Sequence, residues 1–165
     1  MKQRIIVIAG LLLMLITVEA QVRGRQNCNG GWRLAVGDFM EAAKPDYDDS
    51  RWQKVTLPYA FNGHEAFRKD IKDLTDTIAW YRKTFVMDNG QWKMDNPKVF
   101  VEFEGVRQGA DFYLNGHHLG YSENGVMACG FDLTPYIKEG ENVLAVRCDN
   151  SWTYRSREYD SRYQW

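Results

Sequence analysis

Between residues 98 and 149 the chain alternates apolar and polar residues in short runs, and a turn signal separates each run from the next. Val99, Val101 and Phe103 share one side of an extended segment, with Glu102 and Glu104 on the other. Ala110, Phe112 and Leu114 alternate in the same way with Asp111, Tyr113 and Asn115. Successive strand side chains point to opposite faces, so a period of two predicts half-buried strands. Asn115-Gly116 follows at once. Both central residues of a type I′ turn need positive φ, which Asn-Gly tolerates, so this dipeptide predicts a two-residue hairpin with residues 117–122 returning. Phe131 to Leu133 is a further short strand. Thr134-Pro135 is expected to cap and start one helical turn that Gly140 ends. Residues 142–149 form the last strand, with Leu144, Val146 and Cys148 on one face.

The first half follows the same cadence. Residues 32–36 are the candidate first strand, and residues 46–50 are an acidic turn. Trp52, Val55 and Leu57 follow until Pro58 stops the segment. Residues 62–77 lack a clean period and read as a long loop with one short helix; loops of this length are often functional. Residues 79–86 are aromatic and β-branched, and Asp88-Asn89-Gly90 is a turn. Many short strands with few helices predict an all-β fold, an antiparallel jelly-roll β-sandwich with few short helical turns.

The N-terminus has different grammar. Lys2 and Arg4 precede an apolar run over residues 5–18, and Val18-Glu19-Ala20 places small residues where a signal peptidase cuts. This predicts a signal peptide over residues 1–20, cleaved after Ala20, with an uncleaved anchor as the alternative. The run falls short of the ~20 residues a spanning helix needs. A flexible leader is expected over 21–31, the folded domain over 32–150, and the start of a linker over 151–165. The expected location is secreted or periplasmic, with no membrane partner after cleavage.

Composition excludes some functions. The net charge is −1 and no basic stripe is present, so nucleic acid is not an expected partner. Six Trp, nine Tyr and eight Phe suit a β core, and an exposed ring among them could stack on a sugar. Cys28, Cys129 and Cys148 are an odd set, read as buried free thiols, with a 129–148 bridge as the alternative. Neither these cysteines nor His64, His117 and His118 have metal-ligand spacing. No glycine-rich phosphate loop and no nucleophile elbow occur. No metal and no cofactor is expected.

Several ordered segments resemble one family. They are Asp48-Asp49-Ser50-Arg51-Trp52-Gln53-Lys54-Val55-Thr56-Leu57-Pro58, Trp80-Tyr81-Arg82-Lys83-Thr84-Phe85, Phe103-Glu104-Gly105-Val106, Leu114-Asn115-Gly116 with Leu119-Gly120, Phe131-Asp132-Leu133-Thr134-Pro135-Tyr136-Ile137, and Gly140-Glu141-Asn142-Val143-Leu144-Ala145-Val146-Arg147. In this order and spacing they resemble the N-terminal sugar-binding domain of glycoside hydrolase family 2, which includes β-galactosidases, β-glucuronidases and β-mannosidases. The chain departs from the pattern at Tyr59, where the family often has His after Pro, and at Cys129-Gly130, where an aromatic is usual. Most matching residues are turn formers, caps and core anchors.

The resemblance implies a retaining β-glycosidase with an acid/base Glu and a nucleophile Glu, roughly 5–5.5 Å apart. In the family both stand on a (β/α)₈ barrel of about 250 residues that follows the sandwich domains. The pair is therefore expected beyond residue 165, and this chain alone is expected to be inactive, with no catalytic residue of its own. Glu102 and Glu104 read as solvent-facing, and Asp48-Asp49 as a turn. The domain could still touch a β-glycoside substrate through two acids, Asp76 in the loop before Trp80 and Asp160 in the tail. The alternatives are a turn residue for Asp76 and a surface charge or loop cap for Asp160. Trp152, Tyr154, Tyr159, Tyr163 and Trp165 interleave with Arg155, Arg157 and Arg162 and could pack on a following domain or contact sugar. The loop with Arg68-Lys69-Asp70 resembles exported β-galactosidase-like members. The competing readings are a stand-alone carbohydrate-binding module and a purely structural domain docking the remaining domains of a parent enzyme.

Overall fold

A computed structural model of the chain describes residues 24–65, 67–70, 75–88 and 97–151. Eight strands follow in order: β1 (Trp32–Val36), β2 (Gln53–Val55), β3 (Ile78–Met87), β4 (Phe100–Phe103), β5 (Gly109–Leu114), β6 (His117–Ser122), β7 (Cys129–Asp132) and β8 (Gly140–Asp149). Two 3₁₀ turns, Met40–Ala43 and Gly63–Glu65, interrupt them. The strands form a six-stranded sheet, ordered β2-β1-β3-β8-β5-β6, and a two-stranded sheet of β4 and β7. Every pairing is antiparallel. The fold is the expected all-β sandwich of jelly-roll type.

The two sheets bury one core between them. Trp32, Leu34, Ala79, Tyr81, Ala110, Phe112, Leu144, Val146 and Cys148 line the inner face of the large sheet. Phe103 and Phe131 descend from the small sheet onto Phe112, with ring centroids 4.9 and 4.5 Å from it. Burying a side chain such as Phe112 or Leu144 contributes roughly 1.5–3 kcal/mol. The small sheet reaches β1 through Phe103, whose ring centroid lies 6.4 Å from that of Trp32, and Leu57 and Phe61 of the segment after β2 pack against the same core. The Tyr81 hydroxyl donates to the Tyr59 carbonyl at 3.0 Å and ties that segment down.

The outer face of the large sheet is also partly covered. Ala42 and Ala43 sit on Trp80, Tyr113 and Ala145, with Tyr47 and Trp52 alongside. The central strand β8 is therefore buried over Val143–Val146 on both faces. Alternation alone had given it a single apolar face. A strand covered on both sides needs apolar residues at consecutive positions.

Turn chemistry agrees with the sequence at one end and corrects it at another. Asn115 and Gly116 have φ of 52° and 88°, as the hairpin requires. The one helical turn after β7 is present, since the Leu133 carbonyl accepts from the N–H groups of Tyr136 and Ile137, both at 2.9 Å. Thr134 does not cap it with its side chain: its N–H donates to the Asp132 carboxylate at 2.9 Å and its Oγ1 accepts from the Val99 N–H at 3.0 Å. Gly140 opens β8 at φ 81° instead of ending a helical turn. The fixing element there is Asn142, which is fully buried and bonds both the N–H and the carbonyl of Lys138.

At the N-terminal side, the carbonyls of Cys28, Asn29 and Gly30 accept hydrogen bonds from Trp32 Nε1, the Leu57 N–H and Lys83 Nζ. The expected signal peptide lies outside the described residues. Among the described residues no helix is long and apolar enough to cross a membrane.

Candidate functional site

Strand direction places the functional candidates. β3 and β5 begin, and β1, β6 and β8 finish, at the same end of the sandwich. This end carries Asp76, just before β3, and the exit of the chain after β8. The two are tied together, because the Asn150 N–H donates to the Thr77 carbonyl at 3.0 Å. Asp76 is half-buried there. Asp160, like Trp152 and the other tail aromatics, lies outside the described residues.

The loop that delivers Asp76 is built around Glu65. This side chain is buried at the end of the second 3₁₀ turn. It accepts hydrogen bonds from Lys69 Nζ at 2.8 Å, Thr75 Oγ1 at 2.6 Å and the Thr75 N–H at 2.7 Å. The Lys69 bond, then those from Thr75, hold its carboxyl down at about 2. Phe67 stands on the same loop, fully exposed, with a left-handed φ of 66°. Nothing in the sequence distinguishes this ring from the core aromatics.

A second group of polar residues occupies the outer face at the same end. Arg147 points outward from β8 and grips Asp38 with two parallel bonds, Nε to Oδ1 at 2.9 Å and Nη2 to Oδ2 at 2.8 Å. Its Nη1 lies 3.8 Å from Asp111 and 3.6 Å from Asp149. The Arg147 bond holds the Asp38 carboxyl below its usual range, and the same bond raises Arg147. His118 Nε2 meets Asp111 at 2.9 Å. So His118, which has no metal-ligand spacing in the sequence, meets an acid across β5 and β6. The missed signal was register: Asp111 and Arg147 are direct partners on neighbouring strands, 36 positions apart in sequence.

The other sequence candidates separate. Glu102 and Glu104 are exposed, as expected. Asp48 makes the turn through the Ser50 N–H at 2.9 Å. Asp49 does more than turn the chain: it pairs with the buried Arg82 at 2.9 Å and with Arg33 at 3.2 Å. Cys129 and Cys148 are free thiols in or near the core, but Cys28 is exposed, contrary to the reading of buried thiols throughout. Its position before β1 leaves it outside both core clusters.

Chemically, a retaining glycosidase needs one carboxyl held protonated beside one held ionised. The four carboxyls with a resolved shift, Asp38, Asp48, Glu65 and Asp132, are all pushed down. Each is held by donors or cations that favour the anion. Among the described residues these groups can accept hydrogen bonds and bind cations, but none is set up as a general acid.

The sugar binding domain of glycosyl hydrolases family 2 matches residues 26–163. The chain belongs to glycoside hydrolase family 2. It is 37% identical over 145 residues to a β-galactosidase of Bacteroides ovatus, covering 83% of this chain and 17% of that protein. It is also 37% identical over 145 residues to a β-glucuronidase of Formosa agariphila, covering 81% and 14%. Among solved structures it is similar to a β-glucuronidase from glycoside hydrolase family 2, with TM-score 0.70 and 33% identity over 79% of this chain and 15% of that one. A β-glycosidase from Bacteroides vulgatus gives 0.69 and 36%, covering 78% and 17%. The chain thus spans 14–17% of the length of these relatives. The matching motifs take clear structural roles in it. The Trp80-Tyr81-Arg82 segment is the central strand, Asn115-Gly116 the hairpin and Asn142 the buried brace.

Proposed function

We propose that this chain is the N-terminal sugar-binding and scaffold domain of an exported retaining β-glycosidase. The catalytic Glu pair is supplied by the polypeptide that follows it. The observation carrying this reading is the family match over residues 26–163 in a chain that spans only 14–17% of glycosidases bearing the same domain. The carboxyls of the sandwich support it, since those with a resolved shift are held as anions. The domain's own contribution is positional. The Glu65-braced loop carries the exposed Phe67 and delivers Asp76 beside the chain exit, where an acceptor can meet a sugar bound by the following part. The partners are a β-glycoside and the remaining domains. The location is secreted or periplasmic, from the apolar leader at residues 5–18.

The finer reading is a β-galactosidase-like enzyme, supported by the Bacteroides ovatus relative; the Formosa agariphila β-glucuronidase matches to the same identity. The test is to express the reading frame continued beyond Trp165 and assay it on chromogenic β-galactosides and β-glucuronides. Turnover of the galactoside supports the full reading. Turnover of the glucuronide alone retains the glycosidase and overturns the galactosidase assignment. Turnover of neither overturns both.

A further inference from the structure

The polar group around Arg147 stands where the chain leaves the sandwich, and it reaches the backbone there. Asp38 is anchored first. Its Oδ1 accepts from Nε1 of the fully buried Trp80 at 3.3 Å, and both its oxygens take the paired bonds of Arg147. Arg147 Nη1 is then left 3.6 Å from Asp149 Oδ2, at the end of β8. The other oxygen of Asp149 accepts the Ser151 N–H at 2.9 Å. One carboxylate therefore joins the guanidinium to the backbone just past the last strand. The Arg147 and Asp149 side chains are each 15% exposed, so their attraction is screened less than that of a surface pair. Asp111, the third acid, is 3.8 Å from Nη1 and nearer to His118, at 2.9 Å. On its other side the exit is tied to the start of β3: Asn150 donates to the Thr77 carbonyl, and Ile78 pairs with Asp149.

We propose that Arg147 is a positioning residue. It fixes the direction in which the polypeptide leaves β8 and, through the Thr77 tie, the place of Asp76 beside that exit. The N–H groups of Asn150 and Ser151 are both bonded, one to the β3 side and one to Asp149. The exit therefore follows one backbone path. A continuous run from buried Trp80 through Asp38, Arg147 and Asp149 to Ser151 carries the rigidity of the core to that path. Independent motion is the default for domains joined by a free linker. A fixed exit removes that freedom at its first residues, so Asp76 keeps one position relative to the part that follows. Misplacing a substrate-positioning group by about 1 Å can cost on the order of a hundredfold in rate. The consequence for Asp76 rests on the glycosidase reading above; the fixed exit does not.

Amide hydrogen exchange on the whole 165-residue chain tests the exit. The Asn150 and Ser151 amides should exchange at least about tenfold more slowly than in a free chain. Arg147→Met should remove about tenfold of the Ser151 protection, while the core amides of Tyr81 and Leu144 keep theirs. Asp149→Asn gives a second reading without touching the grip on Asp38. It keeps an oxygen for the Ser151 N–H and removes the charge that faces Arg147, so Ser151 exchange rises and Arg147→Met adds nothing further. Free-chain exchange at both amides of the native chain, equal acceleration at Tyr81 and Leu144, or additive effects of the two substitutions overturns the proposal. Kinetics of the reading frame continued beyond Trp165 test the consequence for Asp76. Arg147→Met should raise KM about tenfold for the glycoside that is turned over, with kcat little changed, and Arg147→Lys should recover part. An unchanged KM overturns the positioning of Asp76. No turnover by the unsubstituted enzyme overturns the glycosidase reading, and the exchange result then decides the fixed exit alone.

Discussion

Replacing Arg82 with Met probes how the sandwich holds its outer cover. Arg82 is 1% exposed on the central strand β3. Its Nε donates to the Asp49 carboxylate at 2.9 Å, its Nη1 to the carbonyls of Ala42 and of Lys44 (2.9 Å), and its Nη2 to that of Tyr47 at 3.3 Å. One guanidinium thus pins the 3₁₀ turn and the acidic turn to the sheet. Methionine fills most of the volume, so the loss is electrostatic. Breaking a buried pair from one side costs about 3–5 kcal/mol. Arg33 remains 3.2 Å from Asp49 and reduces that cost. The Ala42, Lys44 and Tyr47 carbonyls lose this donor, at roughly 1–3 kcal/mol for each one left unsatisfied. A net loss of about 4 kcal/mol is expected, and at about 2–4 °C per kcal/mol for this size Tm falls roughly 8–16 °C. Urea unfolding and thermal melts measure both. Arg82→Lys keeps the charge but cannot serve four acceptors, so it should recover only part of the loss. A loss under about 1 kcal/mol for Arg82→Met would refute the view that this guanidinium is a desolvated clamp.

Other outcomes follow from single contacts. Asn115→Val places a β-branched residue at φ 52° and removes the bonds to the Val143 N–H, Tyr136 carbonyl and Asn142; about 2–3 kcal/mol should be lost in urea unfolding. Gly120→Ala drives a Cβ to 2.6 Å from the Phe131 ring, so a loss of about 1–3 kcal/mol and a shift of the Phe131 ring resonances are expected. The Glu65 carboxyl is depressed to about 2 in the fold, so its stabilisation is present above the ordinary value of 4.5 and is lost as pH falls from there through 2. Limited proteolysis at Arg68 and Lys69 should accelerate over that window, and Glu65→Gln should abolish the pH dependence. Burial pushes the Cys148 thiol up to about 12, so a thiol reagent at pH 8 should modify Cys28 quickly and Cys148 only on unfolding. Fast reaction of Cys148 in the native chain would contradict its place in the core.

Local rules made much of this fold legible. Alternation over Ala110, Phe112 and Leu114 and the Asn115-Gly116 turn determine a hairpin without help from distant residues, and both appear as read. Features that depend on register were not legible. Arg82 looked like one more polar strand residue, because its four acceptors lie 33 to 40 positions earlier in the chain. Arg147 meets Asp38 across 109 positions, and no spacing rule reaches that far. Thr134-Pro135 gave the helical turn but not its cap, because the Asp132 carboxylate takes the Thr134 N–H and the Thr134 hydroxyl turns to the Val99 N–H just before β4. Asp76 was placed correctly in a loop, but its nearness to the chain exit needed the antiparallel order of β3 and β8.

The account holds that this sandwich positions and stabilises while the chemistry lies in the polypeptide that follows. Turnover of chromogenic β-galactosides and β-glucuronides by the 165-residue chain alone tests that claim most directly. The account predicts no hydrolysis above buffer at any pH, with the chain folded by its thermal transition. Hydrolysis by the folded chain, abolished by substituting one of its own carboxylates, would contradict it.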